Sequence, residues 1–153
     1  MNLRAPVLLT EALASRHDDG DALIINLLDA KLAAPNADFL SYTLSKQALA
    51  GFTELAARAL AGKGIRVCGI APALMLRSPG QDEDNYRSMH EFNPLKRGVQ
   101  PGEVAAAVRF LAATPTLTGE VITIDGGQRF WGLSRDVQYL SPYGDRGVRR
   151  DDE

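Results

Sequence analysis

The sequence predicts an α/β fold with a parallel sheet, and three observations carry the prediction. Helix-like and strand-like segments alternate from residue 3 to residue 124 in the order helix–strand–helix–strand–helix–strand. The first strand-like run, Ala22-Leu23-Ile24-Ile25-Asn26-Leu27-Leu28, is apolar on both faces, as a strand covered on two sides must be. Turn signals rich in Gly, Asp and Pro punctuate the segments.

Taken in order, Leu3, Val7, Leu8, Ala12 and Leu13 recur at helical spacing and predict a helix over 3–16, with Pro6 acceptable in the first turn. His17-Asp18-Asp19-Gly20 stops it, the strand at 22–28 follows, and 29–38 is a loop containing Pro35 and Asn36. A long helix over 39–61 ends at Gly62-Lys63-Gly64, which no strand precedes and which is therefore a helix stop and not a phosphate loop. Leu44, Ala48, Gly51 and Leu55 lie along one side of it, and Leu49, Phe52, Ala56 and Ala59 along another. Two apolar sides imply two burials, one against a sheet and one against a second subunit.

Ile65 to Ile70 is the next strand. The stretch 71–100, with Pro72, Pro79 and Pro94, is irregular apart from a short helix near 82–91; a connection so long is usually functional, and 74–100 is expected to act as a lid. Its Leu74, Met75, Leu76, Tyr86, Met89 and Phe92 would suit a flat apolar ring. Pro101 and Gly102 precede a helix over 103–112, and Gly119 to Ile124 is the third strand, closed by Asp125-Gly126-Gly127. Residues 1–130 are thus read as one partial domain and 131–153 as a polar tail, whose Trp131, Tyr139 and Tyr143 either reach a neighbouring subunit or stay free. A sheet of three strands is narrow for so apolar a first strand, so a missing N-terminal portion or a partner chain is expected.

Composition narrows the function. At 153 residues, 45% hydrophobic, with a net charge of -2, the chain is an ordinary globular domain with no electrostatic reason to bind nucleic acid or an anionic membrane. The start Met1-Asn2-Leu3-Arg4 does not resemble a signal peptide, and no apolar run approaches the roughly 18–20 residues of a membrane helix. The single cysteine, Cys68, excludes an intrachain disulfide and a Cys-pair metal site, and suits a cytoplasmic setting. It reads as a core residue, and His17 and His90 read as surface residues. No metal is expected.

Tyr42 and Lys46, four apart at the start of the long helix, share one face. An ammonium beside a phenol lowers the tyrosine pKa from about 10 and makes the phenol a usable acid or base. Such a pair alone is common by chance and also describes two surface residues.

Its surroundings add to the reading. Ile24 to Asp29, then Ser41-Tyr42-Thr43-Leu44-Ser45-Lys46, then Ile65 to Pro72, then Thr118-Gly119-Glu120 through Asp125-Gly126-Gly127 together resemble the short-chain dehydrogenase/reductase family over about residues 2–130. The resemblance implies the C-terminal portion of a Rossmann-type doubly wound parallel sheet, with the first half of the fold, and its glycine-rich cofactor loop, absent. It implies an oxidoreductase that moves hydride between NADP(H), NAD being the less favoured cofactor, and a small-molecule carbonyl or imine. Tyr42 would be the acid, and Lys46 would bind the nicotinamide ribose and tune it. Asn2 would match an asparagine that steadies a water chain to the lysine; it also reads as a helix N-cap. The family's serine thirteen residues before the tyrosine is here Asp29, similar to the pteridine reductase and dihydromonapterin reductase branch. A carboxylate there could bond the amino-pyrimidine edge of a pterin, or simply cap a turn. Where the family has Pro-Gly and a threonine near the cofactor, this chain has Pro72-Ala73 and Arg77, the latter able to reach a phosphate or be solvated. Homo-oligomers through helices 3–16 and 39–61 are expected by the same resemblance. The alternative is a catalytically silent remnant or association module that cannot bind cofactor alone.

Overall fold

The computed structural model describes residues 2–140. The chain runs α1 (Arg4–Ala14), β1 (Ala22–Leu27), α2 (Leu40–Leu60), β2 (Ile65–Pro72), α3 (Glu83–His90), α4 (Pro101–Ala113) and β3 (Val121–Ile124). Short 3-10 turns lie at Ala30–Ala33, Ala61–Lys63, Gln128–Trp131 and Val137–Tyr139. The strands form one sheet in the order β1-β2-β3, with both pairings parallel. Ala22 pairs with Ile65 through to Leu27 with Ile70, and Gly69 to Pro72 pair with Val121 to Ile124.

The core is built on β2, the central strand. Ile65 and Val67 pack with Ala56 and Ala57 of α2 on one face. Cys68 and Ile70 pack with Ala107 and Leu111 of α4 on the other. Strict alternation along β2 thus feeds two layers, which is why the run is apolar on both sides. Cys68 is fully buried and free, as a core residue. The outer strand β1 is less covered: Leu27 is exposed, and Leu23, Ile24 and Ile25 are half-buried. The second apolar side expected on α2 is there, with Leu44 and Leu55 exposed.

Several expectations change. α4 starts at Pro101 and not at 103, with Pro101 in its first turn as its type allows, because a first-turn N–H has no partner within the helix. Asn2 does not cap α1, whose N-cap is Leu3 with no side-chain bond. His90 is half-buried, stacked on Tyr86 at 5.1 Å and hydrogen-bonded to the Val99 carbonyl at 2.9 Å. Within the expected lid, Met89 is core and Phe92 packs on Trp131, so only Leu74, Met75 and Leu76 remain for a ligand. Residues 131–140 are no tail. Leu140 is buried, Asn85 donates to its carbonyl at 2.8 Å, and Asn36 donates to that of Leu133 at 3.4 Å. Tyr143 lies outside the described residues.

Candidate active site

The site forms where β1 ends. Leu28 is buried beneath it, and Asp29 then leaves the sheet and accepts the Lys31 N–H at 2.8 Å, capping the 3-10 turn. Tyr42, in the first turn of α2, donates its hydroxyl to the second oxygen of Asp29 at 2.7 Å. One turn on, Lys46 donates to the Leu27 carbonyl at 2.7 Å, with its ammonium 5.8 Å from the centre of the Tyr42 ring. Asn2 donates to Ser45 at 3.3 Å, and Ser45 donates to the Tyr42 carbonyl at 2.6 Å. The four candidate catalytic residues therefore lie together, although Asn2 bonds the Ser45 hydroxyl and not the lysine.

A cavity of about 490 Å³ opens over Asp29 and Tyr42. Phe39, Leu74, Met75 and Val137 supply apolar wall, and Pro72 and Ala73 also line it. A larger groove of about 680 Å³ between α1 and α2 takes in Tyr42 and Asn2 but not Asp29, so Tyr42 and Asp29 share only the smaller cavity, and Lys46 lines neither. Arg77 lies apart, bonded to the Gln81 carbonyl at 3.3 Å and paired with Glu83 at 3.6 Å.

Electrostatics reverse one expectation. Partial burial, then the charge and hydrogen bond of Asp29, raise the Tyr42 pKa well above that of a free phenol, where the lysine was expected to lower it. Burial also lowers the Lys46 pKa, offset in part by the Asp29 charge. Tyr42 thus holds its proton firmly, as a donor rather than a base. Folding raises this pKa, so its contribution to stability is complete below about pH 10 and falls as pH rises towards the folded value. Replacing Tyr42 by Phe should therefore leave tyrosinate absorbance at about pH 11 unchanged. A loss of one tyrosine's worth of signal would contradict the assignment.

Sequence reasoning missed the far wall. Lys31 donates to the Asp38 carbonyl at 2.7 Å and pairs with Asp136 at 3.1 Å. The Asp38 carboxylate accepts from Arg135 at 2.8 Å and from the Asp136 N–H at 2.7 Å, which holds its pKa below the usual carboxylate value. Between these pairs, Phe39 takes the left-handed conformation (φ 53°, ψ 47°), unusual for an aromatic residue. Its ring stacks on Tyr139 at 5.5 Å and lies 5.5 Å from the Lys31 ammonium. The contacts of Asp136, Arg135 and Tyr139 with Lys31, Asp38 and Phe39 span about a hundred positions of sequence, with no local pattern to announce them. At the third strand's end, buried Asp125 accepts from the Gly127 and Arg129 N–H groups and from the Arg129 guanidinium at 2.7 Å. That turn needs glycine at 126, where φ is +58° and Asn93 leaves no room for a Cβ. Among the described residues no cluster of three His, Cys, Asp or Glu could hold a metal, and no helix is long and apolar enough to cross a membrane.

Parallel strands whose C-terminal ends meet a cleft with converging polar groups define a class, the open-sheet α/β proteins that bind ligands at that edge. The family follows from comparison with known proteins. A sequence family described as enoyl-(acyl carrier protein) reductase matches residues 1–129. A 3-oxoacyl-[acyl-carrier-protein] reductase of Synechocystis is 31% identical over 83% of this chain and 53% of its own. Pteridine reductase 1 of Leishmania tarentolae is 33% identical over 82% of this chain and 47% of its own. The crystal structure of FolM alternative dihydrofolate reductase 1 from Brucella suis, in complex with NADP, superposes with a TM-score of 0.80 at 36% identity, over 84% of this chain and 52% of that one. The chain belongs to the short-chain dehydrogenase/reductase family. It spans about half the length of the curated relatives it matches, in keeping with the C-terminal portion of a Rossmann fold.

Proposed function

We propose that this chain carries the proton-delivering part of an NADP-dependent reductase that acts on a pterin-type imine or a related carbonyl. The observation that carries the reading is the 2.7 Å bond from Tyr42 to Asp29 at the edge of a mostly apolar cavity. An ionised carboxylate has about four lone-pair sites. Asp29 accepts two hydrogen bonds, from Tyr42 and Lys31, and so keeps capacity for the amino-pyrimidine edge of a pterin.

The residues present suit one end of the cofactor. The Lys46 ammonium has three donors and spends one on Leu27, leaving it able to hold ribose hydroxyls beside the Tyr42 hydroxyl. Pro72 has no N–H, that of Ala73 is bonded to the Ile124 carbonyl at 2.9 Å, and Arg77 is paired with Glu83, so these three offer a phosphate little. NADPH when bound would supply the hydride. Tyr42 would give its phenolic proton to the substrate nitrogen or oxygen. A substrate N–H that engages Asp29 competes with Tyr42 for the carboxylate, removes part of what raises the phenol pKa, and readies the proton for transfer. NADP over NAD rests on the FolM complexes. Self-association through α1 and α2 belongs to the same reading, because Leu8, Leu9, Leu44 and Leu55 are at least half exposed. So does a cytoplasmic setting, which suits a free buried Cys68.

The test is NADPH titration of the 153-residue chain, with NADH as control, followed by NADPH oxidation in the presence of a dihydropterin. Micromolar binding and turnover support the reductase. No binding into the millimolar range would favour a silent association module instead.

A further inference from the structure

The cavity's charges indicate what kind of substrate it accepts. Three cations line it, and each is matched by a carboxylate. Lys31 pairs with Asp136 at 3.1 Å, Arg135 with Asp38 at 2.8 Å and Arg129 with Asp125 at 2.7 Å. Lys31 and Asp125 are nearly buried, their side chains 10% and 3% exposed. Asp29 is the lining carboxylate that forms no ion pair among the described residues; its bonds come from a phenol and a backbone N–H. The wall is therefore self-neutralised, and the edge at Asp29 is left acceptor-rich.

A ligand that fits must offer N–H donors to Asp29 and no net charge to the wall. An anionic arm would meet Asp136 with every lining cation already matched, and desolvating it there is costly. We propose that the Lys31–Asp136 pair is a specificity determinant. It selects pterins with a neutral side arm, such as a hydroxylated alkyl chain, against those with a carboxylate-bearing arm of the folate type. The proposal rests on the pterin reading above and refines it. Lys31 would contact the arm through the wall it completes. Asp136 is a positioning residue: it holds Lys31 and, by accepting the Gln138 N–H at 3.1 Å, shapes the 3-10 turn Val137–Tyr139.

The selectivity ratio is measured by equilibrium binding of a neutral-arm dihydropterin and of dihydrofolate to the full chain in the presence of NADPH. The original chain should bind the neutral-arm ligand more tightly. Asp136→Asn keeps the size and an acceptor for Gln138 but strips the charge from Lys31's partner. It should shift the ratio towards dihydrofolate by about tenfold, equivalent to about 1.4 kcal/mol. Adding Lys31→Met to Asp136→Asn should abolish the gain, which a general loosening of the wall would leave in place. The gain should also shrink as salt is raised. Equal affinities in the original chain, an unchanged ratio in Asp136→Asn, or a gain that survives Lys31→Met would overturn the specificity role while leaving the pterin reading intact. Failure of the original chain to bind either ligand would overturn both.

Discussion

Replacing Tyr42 by Phe should lower NADPH-dependent reduction by about 10²- to 10⁴-fold, the usual worth of a positioned general acid. The substitution removes one oxygen and little else. The ring keeps its place at the start of α2, and Thr43, which is buried next to it, still donates its N–H to the Phe39 carbonyl at 2.9 Å. Binding of a dihydropterin should change far less than turnover, because Asp29 keeps the Lys31 N–H and gains a free lone pair for the ligand. The comparison variant is Asp29→Asn. It removes the charge that helps raise the Tyr42 pKa, so the tyrosine should ionise at lower pH, although partial burial, the leading cause, remains. It should also weaken ligand binding, since an amide cannot accept from a donor edge as a carboxylate does. Two variants with opposite signatures, rate in one and affinity in the other, separate proton delivery from ring recognition. Turnover within threefold of the original in Tyr42→Phe would remove Tyr42 from the mechanism.

Much of this was legible in the sequence, and what was not has identifiable causes. Local signals served well for α2 and β2, because a doubly buried helix and a two-faced strand each leave a continuous apolar run. The meeting of Asp29 with Tyr42 could be anticipated because a strand end and the following helix start are close in any parallel unit. Two things escaped. The direction of the Tyr42 pKa depends on whether the phenol faces the carboxylate or the ammonium, an orientation that spacing along a helix does not fix. The wall at 132–140 looked like a tail because it is polar and aperiodic. It is held by Asp136 and Arg135 reaching back to Lys31 and Asp38, and by an aromatic stack on Phe39. Long-range pairs of this kind leave no periodicity.

Arg66 was hidden in a different way, as one charged residue inside an apolar strand. It is 7% exposed, on the α4 face of β2. Its guanidinium donates to Asp21 through two nitrogens, at 2.9 and 3.0 Å. Its remaining arm donates to the carbonyls of Leu111, Thr114 and Leu117 at 3.0, 3.3 and 3.4 Å. The last turn of α4 leaves carbonyls that no helical N–H can satisfy, at the negative end of the helix dipole. A buried cation placed there serves as the cap. Arg66→Met keeps the stem volume and deletes the cap; the Leu111, Thr114 and Leu117 carbonyls keep only the Thr114 N–H, the Leu117 N–H and the Cys68 thiol, and the lost charge-assisted bonds cost about 3 kcal/mol. For a chain of this size that corresponds to a drop in Tm of roughly 6–12 °C. Asp21→Asn should cost little, because that carboxylate is 57% exposed and water can replace it. Arg66→Lys should recover only part, since one ammonium cannot reach both Asp21 and the three carbonyls. Denaturant midpoints at constant slope are the measurement. If Arg66→Met fell no further than Asp21→Asn, the ion pair would be the whole of the effect, and the helix end would have to be satisfied in some other way.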